Sequence, residues 1–115
     1  MENIVEQKSF QFAIRVVKLY KYLRHNQKEF TLSRQILRSG TSIGANIAEA
    51  QQAQSRADFI SKLSIALKEA SETKYWLRLL YATDYLSKDQ YESMFQDSVE
   101  IEKLLVSIIR TTKQR

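Results

Sequence analysis

No proline occurs in the 115 residues, and only two glycines do, Gly40 and Gly44. A β-rich domain of this length needs more of both for its turns, whereas long helices joined by short loops need neither. The chain is therefore expected to be all-α. Its length predicts one domain over residues 1–115, and a hydrophobic content of 43% is enough for one real core.

Four periodic segments support this, over about residues 5–27, 33–52, 56–84 and 88–111. On a wheel of about 100° per residue, Phe10, Phe12, Ala13, Val16, Val17, Leu19, Tyr20 and Leu23 fill one broad arc of the first segment. Lys8, Gln11, Arg15, Lys18, Tyr22 and His25 fill the other face. Such an arc is wider than one helix seam needs, which points to more than one packing partner, a second subunit among them. In the second segment Ser33 is placed to cap the helix, with Leu32 and Leu37 as its hydrophobic staple. Ile36, Gly40, Ile43, Ile47 and Ala50 then follow the 4-3-4-3 spacing of a packing stripe. Ser39, Gly40, Ser42, Gly44, Ala45 and Ala48 crowd small side chains around it. A mid-helix glycine costs about 1 kcal/mol relative to alanine. Close approach of a neighbouring helix offsets that cost, unless Gly40 instead breaks the segment in two.

Ser55 and Asp58 form a variant capping box ahead of the third stripe, Phe59, Leu63, Ala66, Leu67, Ala70, Leu77 and Leu80. Ser87 and Gln90 form a full one, with Leu86 and Tyr91 as staple. The fourth stripe runs through Tyr91, Met94, Phe95, Ile101, Leu104, Leu105, Ile108 and Ile109, and residues 110–115 are expected to fray. Short loops force neighbouring helices antiparallel, so the fold expected is an up-down-up-down four-helix bundle.

Candidates for chemistry are few. There are no cysteines, which removes disulfides and thiolate metal sites and fits a reducing, cytoplasmic setting. The acidic opening, residues 1–6, has no long apolar run, so no secretory leader is expected, and nothing is apolar enough to span a membrane. His25 is the only histidine, and its position suits a solvated last helical turn. No metalloprotease, nucleophile-elbow or phosphate-loop pattern occurs, nor the Glu-x-x-His pairs of a bundle metal site. No enzymatic activity, cofactor or metal is expected. Asn46 and Glu49 share a packing face with Ile43, Ile47 and Ala50, opposite Glu69 and Glu72 of the next helix. Asn46, Glu49 and Glu72 are read as polar residues that fix helix register.

Charge is the stronger lead. The formal net charge is +5, with a sequence pI of about 9.5. Residues 1–50 carry eight Lys/Arg against four Asp/Glu, residues 51–100 six against eight, and residues 101–115 four against one. Lys8, Arg15 and Lys18 share a helix face with Tyr22, Arg34 and Arg38 stand at i and i+4 in the next segment, and Lys28 lies between them. Such cations suit the phosphates of a nucleic acid, and a tyrosine suits stacking on a base. The alternative is that the charge serves only solubility.

The stretch LSRQILRSGTSIGANIAEAQ, residues 32–51, resembles the signature of the bacterial four-helix-bundle proteins called 23S ribosomal-RNA intervening-sequence proteins. Within it SIGANIAEA, residues 42–50, is similar to their S-I-x-x-N-I-A-E pattern. DFISKLSIALKEASETKYWLRLL, residues 58–80, resembles their third helix. Ala50 stands where many members have glycine. The resemblance implies a bundle that assembles with copies of itself, as a homopentamer, without enzymatic activity. Similar basic pentamers serve as accessory proteins of retroelements that generate diversity, where they engage reverse transcriptase and nucleic acid. It thus implies two further partner classes: RNA or another nucleic acid, or a protein for which the bundle is a scaffold.

Overall fold

Each helix begins where a side chain can satisfy its unpaired N–H groups. The computed structural model describes residues 3–115; Met1 and Glu2, the start of the acidic opening, lie outside the described residues. Helix α1 (Ile4–His25) starts at Asn3, whose side-chain oxygen accepts from the Glu6 N–H at 3.1 Å. Helix α3 (Arg56–Ala82) starts at Ser55, whose hydroxyl accepts from the Asp58 N–H at 3.0 Å. Asp58 returns its bond to the Gln54 N–H rather than to that of Ser55, so the box closes one residue early. Helix α4 (Lys88–Lys113) has the full reciprocal box: Ser87 accepts from the Gln90 N–H at 3.1 Å, and Gln90 from the Ser87 N–H at 2.9 Å. The helix extends through Lys113, into the basic stretch of residues 110–115.

Helix α2 (Leu32–Ala50) begins differently from expectation. Ser33 is not its cap. Thr31 holds the cap position without a side-chain bond, and Ser33 lies within the first turn, fully buried, its Oγ with no partner. Glu29 serves instead: its carboxylate accepts from the Ser33 N–H at 2.7 Å and the Thr31 N–H at 3.3 Å. The cause lies in the loop. Lys28 adopts a left-handed backbone (φ 55°), and the Glu29 N–H donates to the Leu23 carbonyl at 2.9 Å. That turn brings a charged acceptor to the positive end of α2, where it outcompetes a neutral hydroxyl.

The helices pack in ring order, α1 against α2, α2 against α3, α3 against α4, with α4 and α1 closing the ring more sparingly. The diagonal pairs make no close backbone approach, and the bundle measures 47 × 23 × 21 Å. Phe12, Val16 and Leu23 of α1, Ile36, Ile43 and Ile47 of α2, Leu63, Leu77 and Leu80 of α3, and Ile101 and Leu105 of α4 are all but sealed from solvent. This is the all-α four-helix bundle that the periodicity predicts.

Helix α2 runs unbroken through both glycines, which lie where α1 approaches closely. A Cβ at Gly40 would stand 2.7 and 2.8 Å from the two methyls of Val16, and one at Gly44 would stand 3.3 Å from the Ser9 carbonyl oxygen. Two polar bridges cross the core. Thr73 Oγ1 lies 2.9 Å from Ser39 Oγ and 2.7 Å from the Glu69 carbonyl. One hydroxyl has one proton, so Thr73 donates to the carbonyl while Ser39 donates to Thr73. Ser98 donates to the Ala70 carbonyl at 3.3 Å, joining α4 to α3.

The two assignments for Ser33 predict opposite signs. Removing a helix cap costs about 1 kcal/mol, whereas deleting a buried hydroxyl with no partner removes a desolvation penalty of about the same size. Ser33→Ala is expected to raise the midpoint of urea unfolding, and Glu29→Ala to lower it.

Candidate nucleic-acid interface

The polar face of α1 turns toward α4, not wholly toward solvent. Lys8 pairs with Glu100 at 3.3 Å, and Arg15 pairs with Asp97 while donating to Ser93 Oγ at 3.0 Å. Two surface grooves run along this seam. One, of about 400 Å³, is lined by Lys8, Gln11, Arg15, Asp97 and Glu100 among others. The second, of about 410 Å³, brings Arg15, Lys18 and Tyr22 together with Leu86, Gln90 and Met94.

On the other flank of α2, Arg38 spans to α3. Its guanidinium donates to Glu69 at 3.1 Å and also pairs with Glu72, which in turn accepts from the Trp76 indole N–H at 3.2 Å. Glu49 meets Lys62 at 3.5 Å. Asn46 does not cross to α3 as its packing face suggested: its amide donates to the Ser42 carbonyl of its own helix at 2.8 Å. The polar crossing between α2 and α3 in the core is made by Ser39 and Thr73 instead.

The candidate residues therefore do not form one continuous face. Lys8 and Arg15 hold α4, and Arg38 holds α3. Lys18, Lys28 and Arg34 take part in no ion pair among the described residues. Lys21 and Arg24, absent from the sequence-derived set, share that condition. These five cations fall in residues 18–34, which contain one acid, Glu29. That acid-poor window was the signal available in the sequence. Glu29 itself is turned onto the backbone of α2. The result is a cationic end of the bundle, built from the last turns of α1, the loop and the first turn of α2.

Aromatic groups interleave with the cations there. The Arg24 guanidinium lies 5.3 Å from the centroid of the Tyr20 ring and 5.0 Å from that of Phe30. Phe30 is 45% exposed. Gln27 donates to the Tyr22 hydroxyl at 2.7 Å, and His25 is exposed at the end of α1. Among the described residues no three His, Cys, Asp or Glu side chains gather as a metal ion would require, and no helix is long and apolar enough to cross a membrane.

A second surface is apolar. Phe10 is 64% exposed. It lines a shallow cavity of about 240 Å³ with Ala13 of α1 and Thr41, Gly44, Ala45 and Ala48 of α2, among others. Phe10, Ile14 and Val17, spaced 4 and 3, continue this face along α1 and are all at least partly exposed.

Fold and surface together define a basic four-helix bundle with a cationic surface at residues 18–34. The chain belongs to the family described as 23S rRNA-intervening sequence protein, which matches residues 1–107. A crystal structure of a protein of unknown function from the S23 ribosomal protein family of Bacteroides thetaiotaomicron is similar to it. The two are 67% identical over 94% of this chain and 96% of that one, with a TM-score of 0.93. No curated protein matches the chain.

The ion-pair geometry separates structural from free cations. Arg38→Ala leaves Glu69 and Glu72 without their shared partner and is expected to cost about 1 kcal/mol in urea denaturation. Lys18→Ala should stay within about 0.5 kcal/mol of the parent.

Proposed function

We propose that this protein is a non-enzymatic, self-assembling bundle that binds RNA through the cationic end formed by residues 18–34. The supporting observation is the set of five cations, Lys18, Lys21, Arg24, Lys28 and Arg34, without acidic partners among the described residues, around one acid that caps a helix. Unpaired cations can neutralise the phosphates of a polyanion and release its condensed counterions directly, whereas paired ones must first give up a carboxylate. The family's name, an rRNA intervening sequence, favours RNA among polyanions, and a chain without cysteine suits the cytoplasm. The single histidine is exposed, and among the described residues no three His, Cys, Asp or Glu side chains gather, which favours binding over catalysis.

The second copy is supported by the α1–α2 apolar face. Large apolar side chains spaced like a packing seam, bordered by alanines and a glycine, suit another helix of the same kind. A homopentamer is the assembly that the family resemblance implies. The same face would also suit a different protein, which makes a scaffold the competing function.

The test is binding of the pure protein to a fluorescently labelled structured RNA at several salt concentrations, with mass by light scattering on the same sample. The logarithm of the binding constant should fall with log salt by about 0.7 to 0.9 per phosphate neutralised. Lys18→Glu, Lys21→Glu and Lys28→Glu together should abolish binding without changing helix content. Full affinity in that variant rejects the cationic end as the site. Phe10→Asp should lower the mass to that of one chain. A parent protein that is an oligomer with no RNA affinity would establish the scaffold reading instead.

A further inference from the structure

We propose that the cationic end is a stacking platform for unpaired bases, so that the nucleic acid it takes is single-stranded. This rests on the RNA-binding reading and narrows its ligand.

Phe30 carries the argument. It projects from the loop between α1 and α2, 45% exposed, and is not among the side chains packed on the core. Of the large apolar side chains exposed among the described residues, it alone has a cation over its ring. That cation, Arg24, also lies over Tyr20, so a guanidinium and two rings form one planar-group cluster. Lys28 and Arg34 flank Phe30 in sequence, two residues before it and four after.

The loop holds this arrangement in place. The Phe30 carbonyl accepts from Arg34 Nε at 3.1 Å. One residue earlier, the Glu29 N–H is tied to Leu23 and its carboxylate to the start of α2. A ligand therefore meets a surface that is already ordered, and the entropic cost of binding falls.

The chemistry then discriminates between nucleic acids. A duplex presents phosphates and base edges but keeps its base faces stacked inside, so an exposed ring among cations adds nothing to its binding. A single strand offers free base faces, which stack on aromatic rings and guanidinium planes while neighbouring cations follow the phosphates. Phosphate binding alone would use Lys28, Arg34 and Lys21 and would not require an exposed phenylalanine.

The experiment is fluorescence anisotropy at one low salt concentration. The probes are a labelled unstructured RNA of about twenty nucleotides, the DNA strand of the same sequence, and an RNA duplex of equal length. The parent protein should bind the single strands about tenfold or more tighter than the duplex, the scale set by one stacked base. Phe30→Leu keeps an apolar side chain but loses the ring face. It should lose that margin while holding its duplex affinity, and Phe30→Trp should retain the margin. Equal affinity of RNA and DNA strands would assign recognition to base faces and phosphates alone; an RNA preference would add contact with the 2′-hydroxyl; either supports the platform. A duplex bound as tightly as the single strands, or a margin unaffected by Phe30→Leu, overturns the platform and leaves RNA binding standing. Binding to none of the three probes overturns both readings.

Discussion

The approach of α1 to α2 at two glycines sets the rest of the bundle. With methyls of Val16 where a Cβ of Gly40 would be, and the Ser9 backbone against Gly44, the two helices are closer than ordinary side chains would allow. Drawing α1 toward α2 has a consequence on its other flank. The contact with α4 is sparse, and two grooves of about 400 Å³ each open along it. Ion pairs span the seam above the shared core: Lys8 to Glu100 and Arg15 to Asp97. Half-exposed pairs of this kind contribute about 0–1 kcal/mol each, and α1 makes its closer backbone approach to α2. Helices α1 and α2 form a close-packed hairpin, and both the cationic end and the apolar Phe10 face belong to it.

Charge in this molecule divides by reach. A cation on α1 or α2 becomes structural when an acid on the adjoining helix lies at its level, as Asp97 does for Arg15 and Glu69 and Glu72 do for Arg38. No acid of α3 or α4 comes within ion-pair reach of the cations of residues 18–34, which remain free among the described residues. The one acid in that window is turned onto N–H groups at the start of a helix, where the helix dipole compensates its charge. Glu29 thus stabilises the fold where its charge opposes the surrounding cations least.

This division explains which features could be read in advance. Stripe spacing, the Ser87–Gln90 box and the meaning of the two glycines depend on residues within a few turns of one another, and the periodicity exposes them. The cap of α2 is not legible in the sequence, because it depends on a left-handed Lys28 that no pattern marks; lysine has no special preference for that conformation. Lys8, Arg15 and Arg38 looked like one binding surface because their partners lie 92, 82 and 31–34 residues away. A wheel shows which face a cation takes, not which helix covers that face. Arg24 lies beside the buried Leu23, and the scarcity of acids in residues 18–34 is what distinguishes its neighbourhood in the sequence. A polar group on a packing face must be satisfied, and for Asn46 its own helix supplies the partner.

Assembly and polyanion binding should not be independent if both readings hold. Phe10, Ile14, Val17 and Lys21 follow one another at spacings of 4, 3 and 4, so the apolar face of α1 ends in a free cation three turns on. Copies joined through that face would bring Lys21 and the adjoining cations of several chains into one zone. Like charges gathered there oppose assembly, and more strongly at low salt, where screening is weak. A bound RNA strand neutralises that repulsion while the gathered sites multiply its own affinity. Each event then favours the other by the same coupling free energy, as linkage requires. Salt would act with opposite signs on the two halves, relieving repulsion between free protomers while weakening every phosphate contact. A bundle held together chiefly by the Phe10 face would show the first effect alone, and one that assembles on its RNA would be dominated by the second.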